Sequence, residues 1–239
     1  MNTLRLHFPA ILMAGLCVFT GLAAAAPITL TSASNVLINF DGSGGVPVQL
    51  VNGLSAQLHL YGFSFNTGTG SHAGETLVEF SFDVANTSSS PVVSSRITGV
   101  GFNTTPDLVD TADNGVNGVF ENIVMAPTFP NSIGTVDFCF TTQSCPGGGN
   151  GGVAKGATST GNTASLYFTG SITQLTLDNT YVRYLSLSCP TGTDCPPSAT
   201  GVGTLVTTSD STVPEPSTYA LFALGLAGIA GAKRKNWIR

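Results

Sequence analysis

The sequence predicts an all-β protein: a single β-sandwich or jelly-roll-like domain, flanked by an N-terminal signal peptide and a short C-terminal transmembrane helix. Three observations carry that prediction. Apolar and polar residues alternate in runs such as "TLVEFSFDVAN" (76–86), the period of a strand with one buried face. Turns rich in glycine, asparagine and serine, such as "DGSGG", "NTGTGSHAG" and "ADNGVNG", separate those runs. Apolar segments with basic neighbours stand at the two ends of the 239-residue chain, and nothing between them has a convincing helical stripe.

The first element is the signal peptide, residues 1–25. Arg5 stands in a short polar start, and "FPAILMAGLCVFTGLAAAA" follows as an apolar run closing in small residues, the layout of a secretory leader. Cleavage between Ala25 and Ala26 places Ala23 and Ala25 at the two small-residue positions. One residue later, Pro27 would follow the cut and hinder signal peptidase. Cys17 does not read as a lipid-anchored cysteine, because Leu16 before it is too large, and it leaves with the leader.

Residues 26–206 form an exported β-rich domain, long enough to bury one real core. Leu54, Ala56, Leu58 and Leu60 alternate along one strand, and the phase shifts to Phe63 and Phe65 after Gly62, which reads as a bulge or bend. In the next strand Val78, Phe80, Phe82 and Val84 share one face, with Leu77, Glu79, Ser81 and Asp83 on the other. Further on, Val136, Phe138 and Phe140 point inward together, and Val182 and Tyr184 stand opposite Arg183 and Leu185. Between leader and C-terminal apolar segment only Arg96, Lys155 and Arg183 are basic against thirteen acidic residues, a net of −10, although the whole chain carries −5. So acidic a surface cannot neutralise a phosphate backbone, which excludes nucleic acid as a partner. Residues 207–212 are a polar tether.

Export leaves four cysteines, Cys139, Cys145, Cys189 and Cys195, an even number in an oxidising compartment. Each pair encloses five residues, wider than the two to four of common zinc sites. Structural disulfides are expected, and of the three connectivities the local pairs are favoured, with cross-pairing of the two loops left open. Each local bond would close a small loop worth ~2.4 kcal/mol in the chain-entropy account.

Catalytic chemistry finds little to attach to. The mature histidines are His59, on the polar side of an alternating strand, and His72, in a loop. There is no Gly-x-Ser-x-Gly elbow and no His-Glu-x-x-His helix. Glu75, Glu79 and Asp83 stand four apart and line one strand face, where paired carboxylates for glycoside chemistry would be sought; a solvated face is the simpler reading. Gly147, Gly149 and Gly152 fit Gly-x-Gly-x-x-Gly, but no helical pattern follows them. "DTADNGVNGVFE" sets Asp110, Asn114, Gly115 and Glu121 at calcium-loop positions one, five, six and twelve, with Ala112 where position three needs an oxygen. Asp107, Asp110 and Asp113 remain candidates for a weak extracellular calcium site. No other cofactor is expected, and the protein is not read as an enzyme.

The last element is the tail, residues 213–239. Val213, Pro214, Glu215, Pro216 and Ser217 precede an apolar run from Tyr219 to Ala232, closed by Lys233, Arg234 and Lys235. Extended back to Ser217, the run gives ~24 Å of helix against ~30 Å of hydrocarbon, and its basic end stays cytoplasmic. In that order the parts resemble the PEP-CTERM sorting signal of Gram-negative bacteria. The resemblance implies a sorting helix, transiently anchored in the inner membrane and cut near Pro-Glu-Pro by exosortase, a membrane protease. It implies a destination at the cell surface or extracellular matrix and a link to exopolysaccharide and biofilm.

A second resemblance, carried by "DFCFTTQSCPGGGNGG" and "LTLDNTYVRYLSL", is to the cistern subgroup of such proteins; it brings no catalytic residue. The expected function is structural or adhesive. The alternatives are a carbohydrate-binding module, in which Tyr61, Tyr167 or Tyr181 would stack on sugar rings, and a secreted hydrolase. Expected partners are signal peptidase, an exosortase-type protease and extracellular polysaccharide.

Overall fold

The computed structural model describes residues 27–44, 51–145, 150–191 and 195–206. The leader with Ala25 and Ala26, the tether and the whole tail lie outside the described residues. Among those described, no helix is long and apolar enough to cross a membrane, and one 3-10 turn, Gly70–His72, is the helical structure. The strands in chain order are β1 (Ile28–Thr31), β2 (Asn35–Asp41), β3 (Ser55–Thr67), β4 (Glu75–Ala85), β5 (Ser94–Thr105), β6 (Gly115–Asn117) and β7 (Asn122–Met125). They continue as β8 (Thr128–Phe129), β9 (Gly134–Thr135), β10 (Phe138–Thr141), β11 (Val153–Ala154), β12 (Thr158–Thr169), β13 (Gln174–Ser188) and β14 (Ser198–Val206). The predicted all-β class is what the chain adopts.

The strands form a sandwich from one nearly closed path. The first layer runs β6-β12-β4-β3-β2-β14 and the second β14-β13-β5-β10-β7, with β1 added to β13 and β11 to β5. β14 belongs to both: Ser198–Val202 pair with β13 and Gly203–Val206 with β2. Gly203 sits at that corner because a Cβ there would run into the Thr180 hydroxyl and lie 2.8 Å from Ile38 Cγ2. At the far ends of the path, β6 and β7 are consecutive in the chain. Residues 118–121 join them, and Phe120 of this link is fully buried with its ring 6.3 Å from that of Phe82.

The alternation seen in the sequence fills the interior. Leu58, Leu60, Val78, Phe82, Val84 and Leu166 of the first layer meet Val100, Phe102, Phe138, Phe140, Val182 and Tyr184 of the second, all buried. The Phe82 and Phe140 rings stack across the layers at 5.4 Å, and each such burial is worth about 1.5–3 kcal/mol. Gly62 is the predicted bend: its φ is 67°, and the β3–β4 register shifts between Tyr61 and Ser64. The bulge lets Phe63 stay inside while Ser64 and Asn66 remain outside.

A second, smaller core covers the outer side of the second layer. The β8–β9 hairpin lays Phe129 over β5 and β10, where it packs with Val136, Cys139 and Cys145. Val136 therefore does not share the face of Phe138 and Phe140, as the alternation suggested. Asp137 interrupts the strand there: its carboxylate accepts the Thr104 amide at 2.6 Å, and β10 begins only at Phe138. Arg183 of β13, on the side opposite Val182 and Tyr184, is 7 % exposed. Its stem runs beside Gly99, its Nε and Nη1 have no hydrogen-bond partner, and burial lowers its pKa.

Gly101 is where the hairpin comes closest, since a Cβ there would lie 2.7 Å from Phe129 Cε2 and 3.3 Å from Val136 Cγ2. Gly101→Ala should lower unfolding free energy by about 1–3 kcal/mol. The same change in a Phe129→Leu background should cost less, because the colliding ring edge is gone. Denaturant unfolding of the four proteins measures the coupling, and strictly additive costs would contradict the packing described.

Candidate functional site

The outer face of the first layer is built by the residues that alternate away from the core. Leu37 of β2, His59 of β3 and Asp83 of β4 stand in one cross-strand row. Asn39, Gln57 and Ala85 form the next row, and Thr158 of β12 faces Ala85. An open groove of about 430 Å³ lies over these rows, lined by Asn35, Leu37, Gln57, His59, Asp83, Ala85 and Thr158. Leu37 and Ala85 give it apolar surface, and the other five side chains bring hydrogen-bonding groups.

Those polar groups hold one another in place. His59 Nε2 donates to Asn35 Oδ1 at 2.6 Å, which turns Nδ1 toward Asp83 Oδ2 at 3.6 Å. The Asp83 Oδ1 accepts the Gly161 amide at 2.8 Å and the Tyr61 hydroxyl at 3.2 Å. Gly161 reaches it because β12 bulges between Ser159 and Asn162. Gln57, which lines the groove, donates one amide hydrogen to Asn39 Oδ1 at 3.1 Å. Tyr61 stacks on His59 at 4.7 Å, and burial together with its bond to Asp83 raises its pKa.

A second cluster sits at the other end of the same face. His72, in the turn between β3 and β4, donates Nδ1–H to Glu75 at 2.7 Å and Nε2–H to Asp113 at 2.8 Å. Tyr167 stacks over its ring at 3.8 Å. Two carboxylates on both nitrogens favour the imidazolium, so the Asp113 and Glu75 hydrogen bonds raise the His72 pKa above its ordinary 6.5. The clamp ties the β3–β4 hairpin to the 106–114 segment. That segment lies along β12, where the Val109 amide donates to the Tyr167 carbonyl and the Thr169 amide to the Asp107 carbonyl.

The residues expected from sequence are distributed accordingly. Glu75, Glu79 and Asp83 do line the outer face of β4, but successive ones are ~13 Å apart along the strand, beyond the ~5–9.5 Å of paired glycosidase carboxylates. Each has its own partner: Glu75 has His72, Glu79 has Asn66 at 3.1 Å, and Asp83 has Gly161. Of the calcium candidates, Asp113 turns to His72, and Asp107 and Asp110 are exposed. Among the described residues no three His, Cys, Asp or Glu side chains converge as a metal site. Tyr167 is covered by His72, and Tyr181 packs on Phe129 at 5.8 Å, so Tyr61 is the tyrosine that borders the groove. The cysteines form the local pairs Cys139–Cys145 and Cys189–Cys195, with Cα separations of 6.3 and 5.7 Å.

Two measurements follow from these contacts. The raised His72 pKa means that the folded state holds a proton the unfolded chain releases. Its contribution is therefore complete below about pH 6.5 and is lost as pH rises through the folded-state value. Unfolding midpoints taken from about pH 5.5 to 9 should fall through that window in the parent protein, and His72→Gln should flatten the slope. A slope unchanged by the substitution would remove the clamp. The disulfides differ in burial: Cys139 and Cys145 are fully buried, whereas Cys189 and Cys195 are partly exposed. Graded reductant with thiol labelling and mass analysis should mark Cys189 and Cys195 first.

The groove and the clamp belong to a domain whose routing is written in its tail. Residues 212–235 match the PEP-CTERM protein-sorting motif. No curated protein and no solved structure matches the chain. The motif implies export, membrane-associated sorting and exosortase processing. Carrying that motif, the chain is a PEP-CTERM protein.

Proposed function

We propose that this exported protein is a non-enzymatic component of the cell surface or extracellular matrix, and that its adhesive role is contact with polysaccharide. Signal peptidase would remove the leader, an exosortase-type protease would cut the tail, and the sandwich would then act outside the cell. The observation that carries the reading is the open groove over β2, β3, β4 and β12. A sugar ring has an apolar face edged with hydroxyls. Leu37 and Ala85 supply apolar surface for the first, while Asn35, Gln57, Asp83 and Thr158 supply acceptors and donors for the second. The His59–Tyr61 stack adds an aromatic border. An open groove suits a long polymer that enters from the side.

Gln57→Ala combined with Thr158→Ala should weaken retention by the purified matrix polysaccharide about fivefold or more, by removing two hydrogen-bonding side chains at about 0.5–1.5 kcal/mol each. Both positions are solvent-facing, so the melting temperature should hardly move. Affinity electrophoresis in gels containing the polysaccharide reads the effect. Mobility unaffected by the polymer in the parent protein would leave a purely structural role.

A further inference from the structure

We infer that the groove takes a cationic polysaccharide, one built from amino sugars with free amines, in preference to a neutral or acidic one; this rests on the polysaccharide reading above. The first observation is where the positive charges lie. Strands β2, β3, β4, β6, β12 and β14 contain neither lysine nor arginine. Among the described residues the cations Arg96, Lys155 and Arg183 belong to β5, to the turn after β11 and to β13. Arg183 is buried there, and the Lys155 ammonium donates to the Val92 carbonyl. The outer face of the first layer instead presents Asp41, Glu79 and Asp83, with Glu75 matched by His72.

The second observation is how the groove's own groups are committed. Gln57 gives one of its two amide hydrogens to Asn39, and its side-chain carbonyl can accept from a ligand in the groove. Asp83 has engaged Oδ1 with Gly161 and Tyr61, and its Oδ2 looks past His59 at 3.6 Å. Both are acceptors beside the apolar surface of Leu37 and Ala85. A hexose resting there would bring its equatorial substituents to these oxygens. An ammonium makes a charge-assisted bond to Asp83, an acetamide offers a neutral donor, and a uronate meets a carboxylate in a groove lined by neither lysine nor arginine.

Calorimetry of the full chain against three probes tests this at a mildly acidic pH, where the sugar amine keeps its proton: glucosamine oligomers, N-acetylglucosamine oligomers and oligogalacturonate. The expected result is glucosamine binding about tenfold tighter than the acetylated chain, and uronate weakest. Asp83→Asn should erase that preference, whereas Glu79→Gln, on the same face outside the groove, should leave it. Equal affinity for amine and acetamide chains would overturn the charge preference and leave the polysaccharide reading standing. No binding of any probe would overturn both. Equal losses in Asp83→Asn and Glu79→Gln would point to the diffuse field of an acidic domain and overturn the groove as the site. Should Asp83→Asn fail to fold, Gln57→Glu supplies the reverse test: the amine preference must rise, and a fall would contradict the assignment.

Discussion

Strand β14 hydrogen-bonds to β13 through Ser198–Val202 and to β2 through Gly203–Val206, and this double pairing holds the two layers face to face. The turn at the corner requires a residue with no side chain, because Thr180 and Ile38 fill the space beside Gly203. Once the layers are joined there, the inward residues of β3, β4 and β12 meet those of β5, β10 and β13 over a core rich in phenylalanine. The outward residues of the same strands are thereby committed to solvent. The groove is a consequence of that commitment. Leu37, which lines it, is paired with Val206, the last residue of β14, so the last described strand ends beside the groove.

The two layers manage their outer faces differently. The second layer covers its own with the β8–β9 hairpin, a buried disulfide and Gly101, which makes room for Phe129. The first layer leaves its outer face open and edges it with two networks, His59–Asp83–Tyr61 and His72–Glu75–Asp113. The buried Arg183 belongs to the second layer, and Glu75, Glu79 and Asp83 belong to the open face of the first.

Local pattern made much of this legible. Period-two alternation located β3, β4, β10 and β13 and named the residues that face the core, because burial of one sheet face leaves that mark on every strand. Gly62 was readable as a bend because the apolar phase changes across it. The tail was readable because Pro-Glu-Pro, an apolar run and a basic end occur together; the motif match begins one residue earlier, at Thr212, and ends at Lys235. What alternation cannot express is which outer face acquires a second cover. Val136 was therefore placed on a strand side, without the Phe129 of the hairpin that packs on it. Nor does local pattern reveal pairings between distant segments: His72 and Asp113 are 41 residues apart, and the groove draws on four strands.

The sorting motif in the tail marks the stapled sandwich as cargo for export and exosortase processing. Intact mass under non-reducing conditions, for protein from a host with its exosortase and from one without, tests it most directly. The leader should be lost in both hosts, and the segment after Pro-Glu-Pro only where the protease is present. In both, the mass should lie four protons below the reduced form, one pair for each disulfide. A tail retained in both hosts, or free thiols at Cys139 and Cys145, would contradict it.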